Sequence, residues 1–261
     1  MDSVNKTLYI PLYGKAFVSQ KGLFLQDKKA EQIWAAEGFT LRGKARSKWL
    51  AYYMGIRSAT FDEWLREKTS AMPGATVIHI GCGMDGRIER VGSGGCAWYD
   101  VDFPAVIEER SRYYSETDSY KMIGADVKEP AWLEKILARS SALVVMEGVS
   151  MYLSPEEMRE LTARLCSRFE RLSILVDAYT GLGAKMSKIR NPVNEVGVTD
   201  VYGIDDPREY TSGALAFVRE HSMTPKKYVD ELKGAERFIF SRLYAGGLSK
   251  KLYRLYEYEK A

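Results

Sequence analysis

One stretch of this sequence decides the fold: Thr76-Val77-Ile78-His79-Ile80-Gly81-Cys82-Gly83-Met84-Asp85-Gly86. The apolar run before Gly81 predicts a buried strand, and the loop after it has the G-x-G-x-x-G spacing of nucleotide-binding turns. Only residues 87–91 separate this loop from a second glycine cluster, so the helix that follows is short. A short helix is poorly suited to holding a pyrophosphate at its N-terminus. The stretch therefore predicts a strand that leads into a cofactor-binding loop.

Downstream of this loop, apolar runs alternate with amphipathic segments. Strands are predicted at residues 96–101, 121–123, 142–146 and 172–176, and helices at residues 105–114, 130–138 and from Ser154 onward. The helix at Ser154 has a strong start, with a capping serine, a proline in the first turn and a glutamate three residues on. Apolar strands that alternate with helices are typical of parallel sheets covered on both faces. The sequence therefore predicts an α/β fold with a doubly wound, mostly parallel sheet and helices on both faces.

The residues before Thr76 predict helices. Helical spacing runs from Asp27 to Glu37, and a second helix is expected over residues 45–54. A third is expected to begin at Thr60, because Thr60-Phe61-Asp62-Glu63 has the form of a capping box. We therefore expect an N-terminal helical cap over residues 1–72 and a larger α/β domain over residues 73–261, which ends with two helices and an alternating strand.

Acidic residues stand where the predicted strands end. Asp102, Asp126 and Glu147 follow the second, third and fourth strands, and Asp177 follows the fifth. Ligands of such sheets bind beyond the carboxyl ends of the strands, so we expect these side chains to meet at one ligand. Asp102 suits a ribose diol, and Asp126 can accept a hydrogen bond from an adenine amine. Several carboxylates at one edge repel pyrophosphate and favour a cationic ligand such as S-adenosylmethionine.

Four segments carry a family resemblance: the glycine-loop run at residues 77–85, and residues 99–104, 124–127 and 146–156. In this order they resemble the motifs of the leucine carboxyl methyltransferase family. The last segment is the most specific, because it contains an acid followed by Gly-x-x-x-Tyr-Leu-x-Pro. Residues 6–16 resemble the bacterial branch associated with polyketide-type O-methylation more than the branch that methylates a phosphatase C-terminus.

The resemblance implies a class I methyltransferase fold, which is Rossmann-like, with S-adenosylmethionine as cofactor and S-adenosylhomocysteine as product. The cofactor residues that it implies are Arg57 for the carboxylate, Gly81 and Gly83 under the methionine moiety, Asp102 for the ribose, Asp126 and Val127 for the adenine, and Glu147 near the methionine end. Two features depart from the family pattern. Gly86 stands between Asp85 and Arg87, where the family often has threonine, and an N-terminal acid-Pro element is present only loosely at residues 27–30.

Composition argues against several other classes of protein. The 261 residues include 38 Lys+Arg and 35 Asp+Glu, and this net charge of +3 is too small to indicate nucleic acid or an anionic membrane as the main partner. Three cysteines and two histidines lack metal-ligand spacing, so we expect no metal site and place His79 in the core. There is no apolar signal segment or membrane-spanning run, and we expect a cytoplasmic protein.

These observations favour an O-methyltransferase that acts on a hydroxyl or carboxyl group of a small-molecule acceptor. Three alternatives stay open: a carboxyl methyltransferase acting on a protein C-terminus, a nicotinamide-dependent oxidoreductase or nucleotide-binding module, and a catalytically silent cofactor-binding protein. We expect the acceptor pocket to be built by the N-terminal helices and residues 180–245. No catalytic base is assigned, and the candidates are Tyr13, Tyr152, Asp177 and Tyr179.

Overall fold

The computed structural model describes residues 3–38, 41, 43–137, 139–190, 201–211 and 213–260. Its strands are β1 (Thr76–Ile80), β2 (Ala97–Asp102), β3 (Tyr120–Gly124), β4 (Ser141–Met146), β5 (Arg171–Tyr179), β6 (Leu215–His221) and β7 (Tyr253–Lys260). Its α-helices are α1 (Ser3–Gln20), α2 (Lys28–Glu37), α3 (Lys48–Ala71), α4 (Arg87–Val91), α5 (Pro104–Arg110), α6 (Pro155–Arg168), α7 (Gly181–Arg190), α8 (Lys226–Val229), α9 (Gly234–Leu243) and α10 (Gly247–Lys250). Within these described ranges, no helix combines the length and apolarity needed to cross a membrane.

The seven strands form one sheet in the order β3-β2-β1-β4-β5-β7-β6. The first five strands pair in parallel, and β7 runs antiparallel to both of its neighbours, β5 and β6. After β3 the chain crosses back to β4, which lies on the other side of β1. This reversal opens a crevice beyond the carboxyl ends of β1 and β4, where open α/β sheets bind their ligands. The mostly parallel, doubly wound fold expected from the sequence is confirmed.

Both faces of the sheet are buried, which explains the continuous apolar runs of its central strands. In β1, Ile78 and Ile80 belong to one buried cluster and Val77 belongs to the other. In β4, Val144 packs in the first cluster and Leu143 in the second. Successive residues of a strand point to opposite faces, so each apolar run supplies side chains to both layers of the core.

Several helix ends follow their local sequence signals. Oδ1 of Asp27 accepts a hydrogen bond from the backbone N–H of Ala30 at 2.8 Å and caps α2, which ends at Gly38 in the left-handed conformation. Ser154 and Glu157 form the capping box expected at the start of α6. These helix ends could be predicted because the capping side chain and the backbone N–H that it binds lie within one helical turn of each other.

The N-terminal region differs from the sequence expectation in two places, since α1 was not among the helices placed there and α3 is longer than expected. α3 is one helix of 24 residues, without the break expected between residues 54 and 60. The hydroxyl of Thr60 donates to the carbonyl of Ile56 at 2.9 Å, so it bonds back to the preceding turn and caps no new helix. Phe61, Trp64 and Leu65 pack against the sheet and carry the helix through this point.

Three other expectations were wrong in detail. The helix expected over residues 130–138 is a 3₁₀ helix, Pro130–Lys135, and Ala138 lies outside the described residues. β5 extends to Tyr179, so Asp177 lies inside the strand and not after it. β6 was not expected, because only two helices and a final strand were predicted after residue 206. It is an edge strand with mostly exposed side chains, in which a short apolar run over residues 215–218 is followed by polar residues.

Candidate active site

A cavity of about 840 Å³ lies beyond the carboxyl ends of β1, β2 and β4. All seven residues of the expected cofactor site lie on its walls: Arg57, Gly81, Gly83, Asp102, Asp126, Val127 and Glu147. α1, α3 and residues 243–253 form much of the remaining wall. The strand exits contribute acids to this cavity, and the helices contribute mainly apolar and tyrosine side chains.

The loop after β1 requires glycine at two positions. Gly81 and Gly83 both have a positive φ, of 66° and 49°. A Cβ on Gly81 would lie 2.1 Å from Cγ2 of Val149, and a Cβ on Gly83 would lie 3.2 Å from Cδ2 of Leu8. The loop backbone is therefore packed between α1 and the segment after β4, and it forms part of the cavity wall directly.

A buried arginine that the sequence did not reveal supports this loop. Arg110 of α5 donates to the carbonyl oxygens of Gly83 and Asp85 at 2.9 Å and to the carboxylate of Asp100 at 2.5 Å. Nδ1 of His79 lies 3.2 Å from the same carboxylate, and burial lowers the pKa of His79. His79 is thus the buried core histidine that the strand pattern predicted.

Asp102 ends β2 with both carboxylate oxygens turned toward backbone donors. The N–H of Gly83 donates to Oδ2 and the N–H of Phe103 donates to Oδ1, each at 2.8 Å. Burial raises the pKa of Asp102, and these two hydrogen bonds oppose the rise. Each oxygen keeps a lone pair, so the carboxylate can still accept from both hydroxyls of a diol.

Asp126 and Val127 lie on the cavity wall after β3. The backbone N–H of Lys128 donates to Oδ1 of Asp126 at 3.0 Å, and the Lys128 ammonium lies 3.8 Å from Oδ2. This turn fixes the carboxylate in place. The 3₁₀ helix that follows has Glu129 at its N-cap, so Asp126 does not cap it. Asp126 can therefore accept a hydrogen bond from an amine in the cavity.

Glu147, just after β4, is held between two buried arginines. Oε1 accepts from Nε of Arg57 at 3.1 Å and lies 3.1 Å from its Nη2, and Oε2 accepts from Nη2 of Arg87. Burial by itself would raise the pKa of Glu147, but the positive charges of Lys15, Arg57 and Arg87 lower it to about 2. Glu147 is therefore ionised at neutral pH and is a poor general base.

Arg57 of α3 joins Glu147 to Asp177. Nη1 of Arg57 lies 3.1 Å from Oδ2 of Asp177 and donates to the hydroxyl oxygen of Tyr253 at 3.0 Å. Tyr253 in turn donates to Oδ2 of Asp177 at 2.6 Å. Among the described residues, Nη2 of Arg57 has the ion pair with Glu147 and no hydrogen bond, so it can donate to a ligand.

Lys15 of α1 is a second cation on the cavity wall, and it was not among the expected site residues. Its side chain is buried, and Nζ lies 3.0 Å from Oδ2 of Asp85. The available signal was its helical position, because Leu8 and Leu12 share a helix face with Lys15 and also line the cavity. A lysine on an apolar helix face is uncommon unless its ammonium has a partner.

Lys15, Arg57 and Glu147 belong to a buried ionic network that joins α1, α2 and α3 to the glycine loop. Arg90 contacts Asp62 and Asp85 at 2.6 Å and also pairs with Asp27. Among the described residues the network contains four cations and five carboxylates: Lys15, Arg57, Arg87, Arg90, Asp27, Asp62, Asp85, Glu147 and Asp177. It therefore carries one excess negative charge when all its members are ionised.

The glycine at position 86, a departure from the family pattern, has a packing reason. A Cβ on Gly86 would lie 2.9 Å from Oδ1 of Asp27 and 3.4 Å from Cβ of Lys29. Gly86 therefore lets the N-terminus of α2 approach the loop closely. The same approach brings Asp27 to Arg90.

The rest of the cavity wall, which we call the helix side because α1, α3 and α9 contribute to it, is lined by apolar and tyrosine side chains. They are Leu8, Pro11, Leu12, Leu50, Tyr53, Met54, Met151, Tyr152, Leu153, Tyr179, Leu243, Tyr244, Leu252 and Tyr253. Burial raises the pKa of Tyr53 and of Tyr152 to about 12. Both phenols are therefore neutral near pH 7 and can act as hydrogen-bond donors there.

The structure separates the four candidate bases. Tyr152 and Tyr179 lie on the cavity wall. Asp177 is buried beneath Tyr253, and burial raises its pKa. Tyr13 donates to the carbonyl of Arg46 and does not line the cavity.

Residues 180–245 were expected to help build the acceptor pocket, but most of their aromatic and methionine side chains do not line the cavity. Tyr244 lies on its wall. Tyr210, Met223 and Phe240 are buried in the core, Tyr228 packs at its edge, and Met186, Tyr202 and Phe238 are exposed. Residues 191–200 and 212 of this segment lie outside the described residues.

Known proteins resemble this chain in sequence. Residues 3–166 match the family model for leucine carboxyl methyltransferase. The chain is 32% identical over 187 residues to the tetracenomycin polyketide synthesis O-methyltransferase TcmP of Streptomyces glaucescens, which covers 70% of this chain and 69% of that protein. It is 24% identical over 232 residues to the S-adenosyl-L-methionine-dependent methyltransferase dpfgK of Gibberella zeae, which covers 80% and 78%.

These matches and the site define an S-adenosylmethionine-dependent methyltransferase. More specifically, the chain belongs to the leucine carboxyl methyltransferase family. The oxidoreductase and nucleotide-binding alternatives are set aside by this assignment.

Solved structures support the fold. Magnesium protoporphyrin IX methyltransferase (ChlM) of Synechocystis superposes with a TM-score of 0.51 at 12% identity, covering 95% of this chain and 97% of that one. Geranyl diphosphate C-methyltransferase of Streptomyces coelicolor gives a TM-score of 0.50 at 16% identity, covering 87% and 88%. At sequence identities this low, the superpositions show that the folds are similar and nothing about function.

Proposed function

We propose that this enzyme transfers the methyl group of S-adenosylmethionine to an oxygen atom of a small, largely apolar acceptor. The observation that carries the proposal is the shared cavity, which contacts both the seven cofactor-site residues and the tyrosine-rich helix side. Its volume of about 840 Å³ falls within the range of about 300–1,000 Å³ common for ligand pockets. An adenosyl cofactor at the strand exits would leave the helix side for the acceptor.

Residues at the carboxyl ends of β1, β2 and β3 are proposed to contact different parts of the cofactor. Asp102 accepts from the ribose hydroxyls through the lone pairs that its backbone donors leave free. Asp126 accepts from the adenine amine, and the backbone of Val127 lies beside the ring. Gly81 and Gly83 allow the chain to pass close beneath the methionine moiety.

The buried ionic network receives the methionine end. Lys15 and Nη2 of Arg57 would hold the cofactor carboxylate, and Glu147 would face the ammonium group. S-adenosylmethionine carries a sulfonium, an ammonium and a carboxylate, so its net charge is positive by one. With all its members ionised the network is negative by one, so that binding of this ligand would balance its charge.

The bound cofactor supplies a methyl group that its sulfonium has already activated. The protein residues hold the acceptor oxygen in line with that group and exclude water. Leu12, Met54 and Leu252 provide apolar walls on the helix side. Tyr53 and Tyr152 can donate hydrogen bonds that orient an acceptor oxygen.

The walls favour a carboxyl acceptor, because a carboxylate is already ionised at neutral pH. Among the described wall residues, Glu147 is a poor base, and the phenols of Tyr53 and Tyr152 are neutral. A hydroxyl acceptor is the second candidate. Tyr253 donates to Asp177, so an acceptor hydroxyl that donates to Tyr253 could pass its proton to Asp177 as the new carbon–oxygen bond forms.

A small molecule fits the site better than a protein C-terminus. The helix side of the cavity is apolar and aromatic, and the relative from Streptomyces glaucescens is a polyketide synthesis O-methyltransferase. A protein C-terminus would need a groove that also holds several residues of main chain. Methylation of a protein C-terminus stays an alternative that the experiment below tests.

The test begins with calorimetric titration of the purified protein by S-adenosylhomocysteine, S-adenosylmethionine and NADH. We expect micromolar binding of both adenosyl ligands and no binding of NADH. The protein is then incubated with methyl-labelled cofactor and matched aromatic carboxylic acids, phenols and peptides with free C-termini. Methylation of the peptides in preference to the small molecules, or the absence of adenosyl-ligand binding, would overturn the proposal.

A further inference from the structure

The outward face of α9 is apolar, which is unusual for a helix on a protein surface. Phe238 and Leu243 are each 64% exposed, and Ile239 is 36% exposed. At 100° per residue these three and Arg242 fall within an arc of about 140°, whereas Phe240 points into the core. Large apolar side chains grouped on an exposed helix face indicate an interaction site.

The sequence in and next to α9 is rich in cations. Residues 233–251 contain five cations and one acid, so their net charge of +4 exceeds the +3 of the whole chain. The exposed cations without a counter-ion among the described residues are Lys233, Arg242, Lys250 and Lys251. The acid, Glu236, is bound to Lys48 and Tyr52. The small net charge of the chain conceals this local excess, which we call the α9 surface (residues 233–251).

The α9 surface adjoins the cavity. Leu243, Tyr244 and Ser249 lie on the cavity wall, and Leu243 is also one of the exposed apolar residues. The guanidinium of Arg242 lies 5.5 Å from the ring centre of Phe238, which places the positive charge against the apolar face. Leu243 therefore belongs both to this surface and to the wall of the cavity on the side assigned to the acceptor.

We propose that the α9 surface docks on an anionic lipid bilayer. Phe238, Ile239 and Leu243 enter the headgroup region, and the surrounding lysines and Arg242 pair with lipid phosphates. An apolar acceptor that partitions into the bilayer can then enter the cavity directly. This last step rests on the proposed function, but the docking itself does not.

Charge favours the bilayer over a second copy of the chain. Two α9 surfaces placed face to face would bring like charges together, and this repulsion opposes self-association. An acidic protein could also complement the charge. A bilayer is preferred because the exposed apolar residues lie on one helix next to an apolar cavity. Lipid can cover these residues, and it can also deliver an apolar ligand to the cavity.

The test measures co-flotation of the full chain with vesicles of phosphatidylcholine, with and without phosphatidylglycerol. We expect binding to the anionic vesicles, reduced about thirtyfold by R242E and about tenfold by F238S. The matched charge-reversal control is K135E, at an exposed lysine of the 3₁₀ helix between β3 and β4, and it should bind as the wild type does.

Retention on immobilised heparin separates lipid docking from binding to any acidic partner. We expect F238S to weaken vesicle binding but not heparin retention, whereas R242E weakens both. Absence of vesicle binding, equal binding of F238S and wild type to vesicles, or a dimer that R242E dissociates would each overturn the proposal. S-adenosylhomocysteine calorimetry on the same samples distinguishes failure of the docking proposal from failure of the proposed function. If the protein binds this ligand but not vesicles, only the docking proposal is rejected.

Discussion

Replacement of Asp102 by asparagine tests the cofactor site with little disturbance of the fold. In the native protein the two carboxylate oxygens accept from the N–H groups of Gly83 and Phe103, both at 2.8 Å. Asparagine offers one carbonyl oxygen, and its NH₂ group then faces the other backbone donor. The variant therefore keeps one of these hydrogen bonds, loses the second, and loses the negative charge that would receive the ribose hydroxyls.

The expected loss of binding follows from the hydrogen bonds involved. A hydrogen bond to a charged group contributes about 1.5–3 kcal/mol, so the dissociation constant of S-adenosylhomocysteine should rise about 10- to 150-fold in D102N. Stability should change by only about 1 kcal/mol, because removing a buried charge offsets the lost hydrogen bond. The raised pKa of Asp102 points the same way, since burial disfavours its ionised form.

Calorimetry with S-adenosylhomocysteine and thermal unfolding of the ligand-free protein measure these two effects separately. D118N is the matched control, because it makes the same chemical change at an exposed position that is not on the cavity wall, and it should bind as the wild type does. If D102N binds within about threefold of the wild type, a difference of about 0.7 kcal/mol, then Asp102 does not hold the ribose and the placement of the cofactor is wrong.

G81A should destabilise the protein by about 2–4 kcal/mol in denaturant unfolding, because φ is positive and the new Cβ would meet Val149. As pH falls from 4.5 toward 2, the unfolding free energy should decrease, because folding lowers the pKa of Glu147 from 4.5 to about 2 and its ionised form stabilises the fold above that range. E147Q should flatten this decrease and cost about 3 kcal/mol at neutral pH, since two buried arginines lose their shared carboxylate. K15M should weaken S-adenosylhomocysteine binding about 10- to 100-fold while leaving binding of 5′-methylthioadenosine, which lacks the amino-acid part, unchanged.

Each of these predictions has an outcome that contradicts it. G92A is the steric control for G81A, because Gly92 also has positive φ but its Cβ would meet nothing within 4 Å. Equal destabilisation by both would show that Val149 does not matter. An E147Q unfolding profile parallel to that of the wild type between pH 4.5 and 2 would assign the acid sensitivity elsewhere. Equal weakening of both ligands by K15M would mean that the substitution disturbs the whole site.

The strands and the loop after β1 were predictable because their signals are local. β1, β2 and β4 begin and end within one or two residues of the expected positions. Asp102 and Glu147 follow their strands directly, and parallel strands bring their carboxyl ends to one edge. Their placement on one cavity wall was therefore implied by the order of elements along the chain.

Local signals failed where tertiary packing overrode them. The capping-box pattern at Thr60 predicted a helix start, but the packing of Phe61 and Trp64 against the sheet carries α3 through that position. β6 was missed because its apolar run covers only residues 215–218, and a run this short does not distinguish an edge strand from a helix. In both places the deciding contacts come from elements distant in sequence.

By itself the sequence determined the class of fold, the glycine loop and the acids at the strand exits, because these depend on the alternation of apolar and polar residues and on short-range turn chemistry. Only the tertiary structure decided the electrostatics of the site. Arg57 meets Tyr253, 196 positions away along the chain, and Lys15 meets Asp85 across two different elements. A residue pattern records which side chains are buried, but the partner of a buried charge is set by how the elements pack.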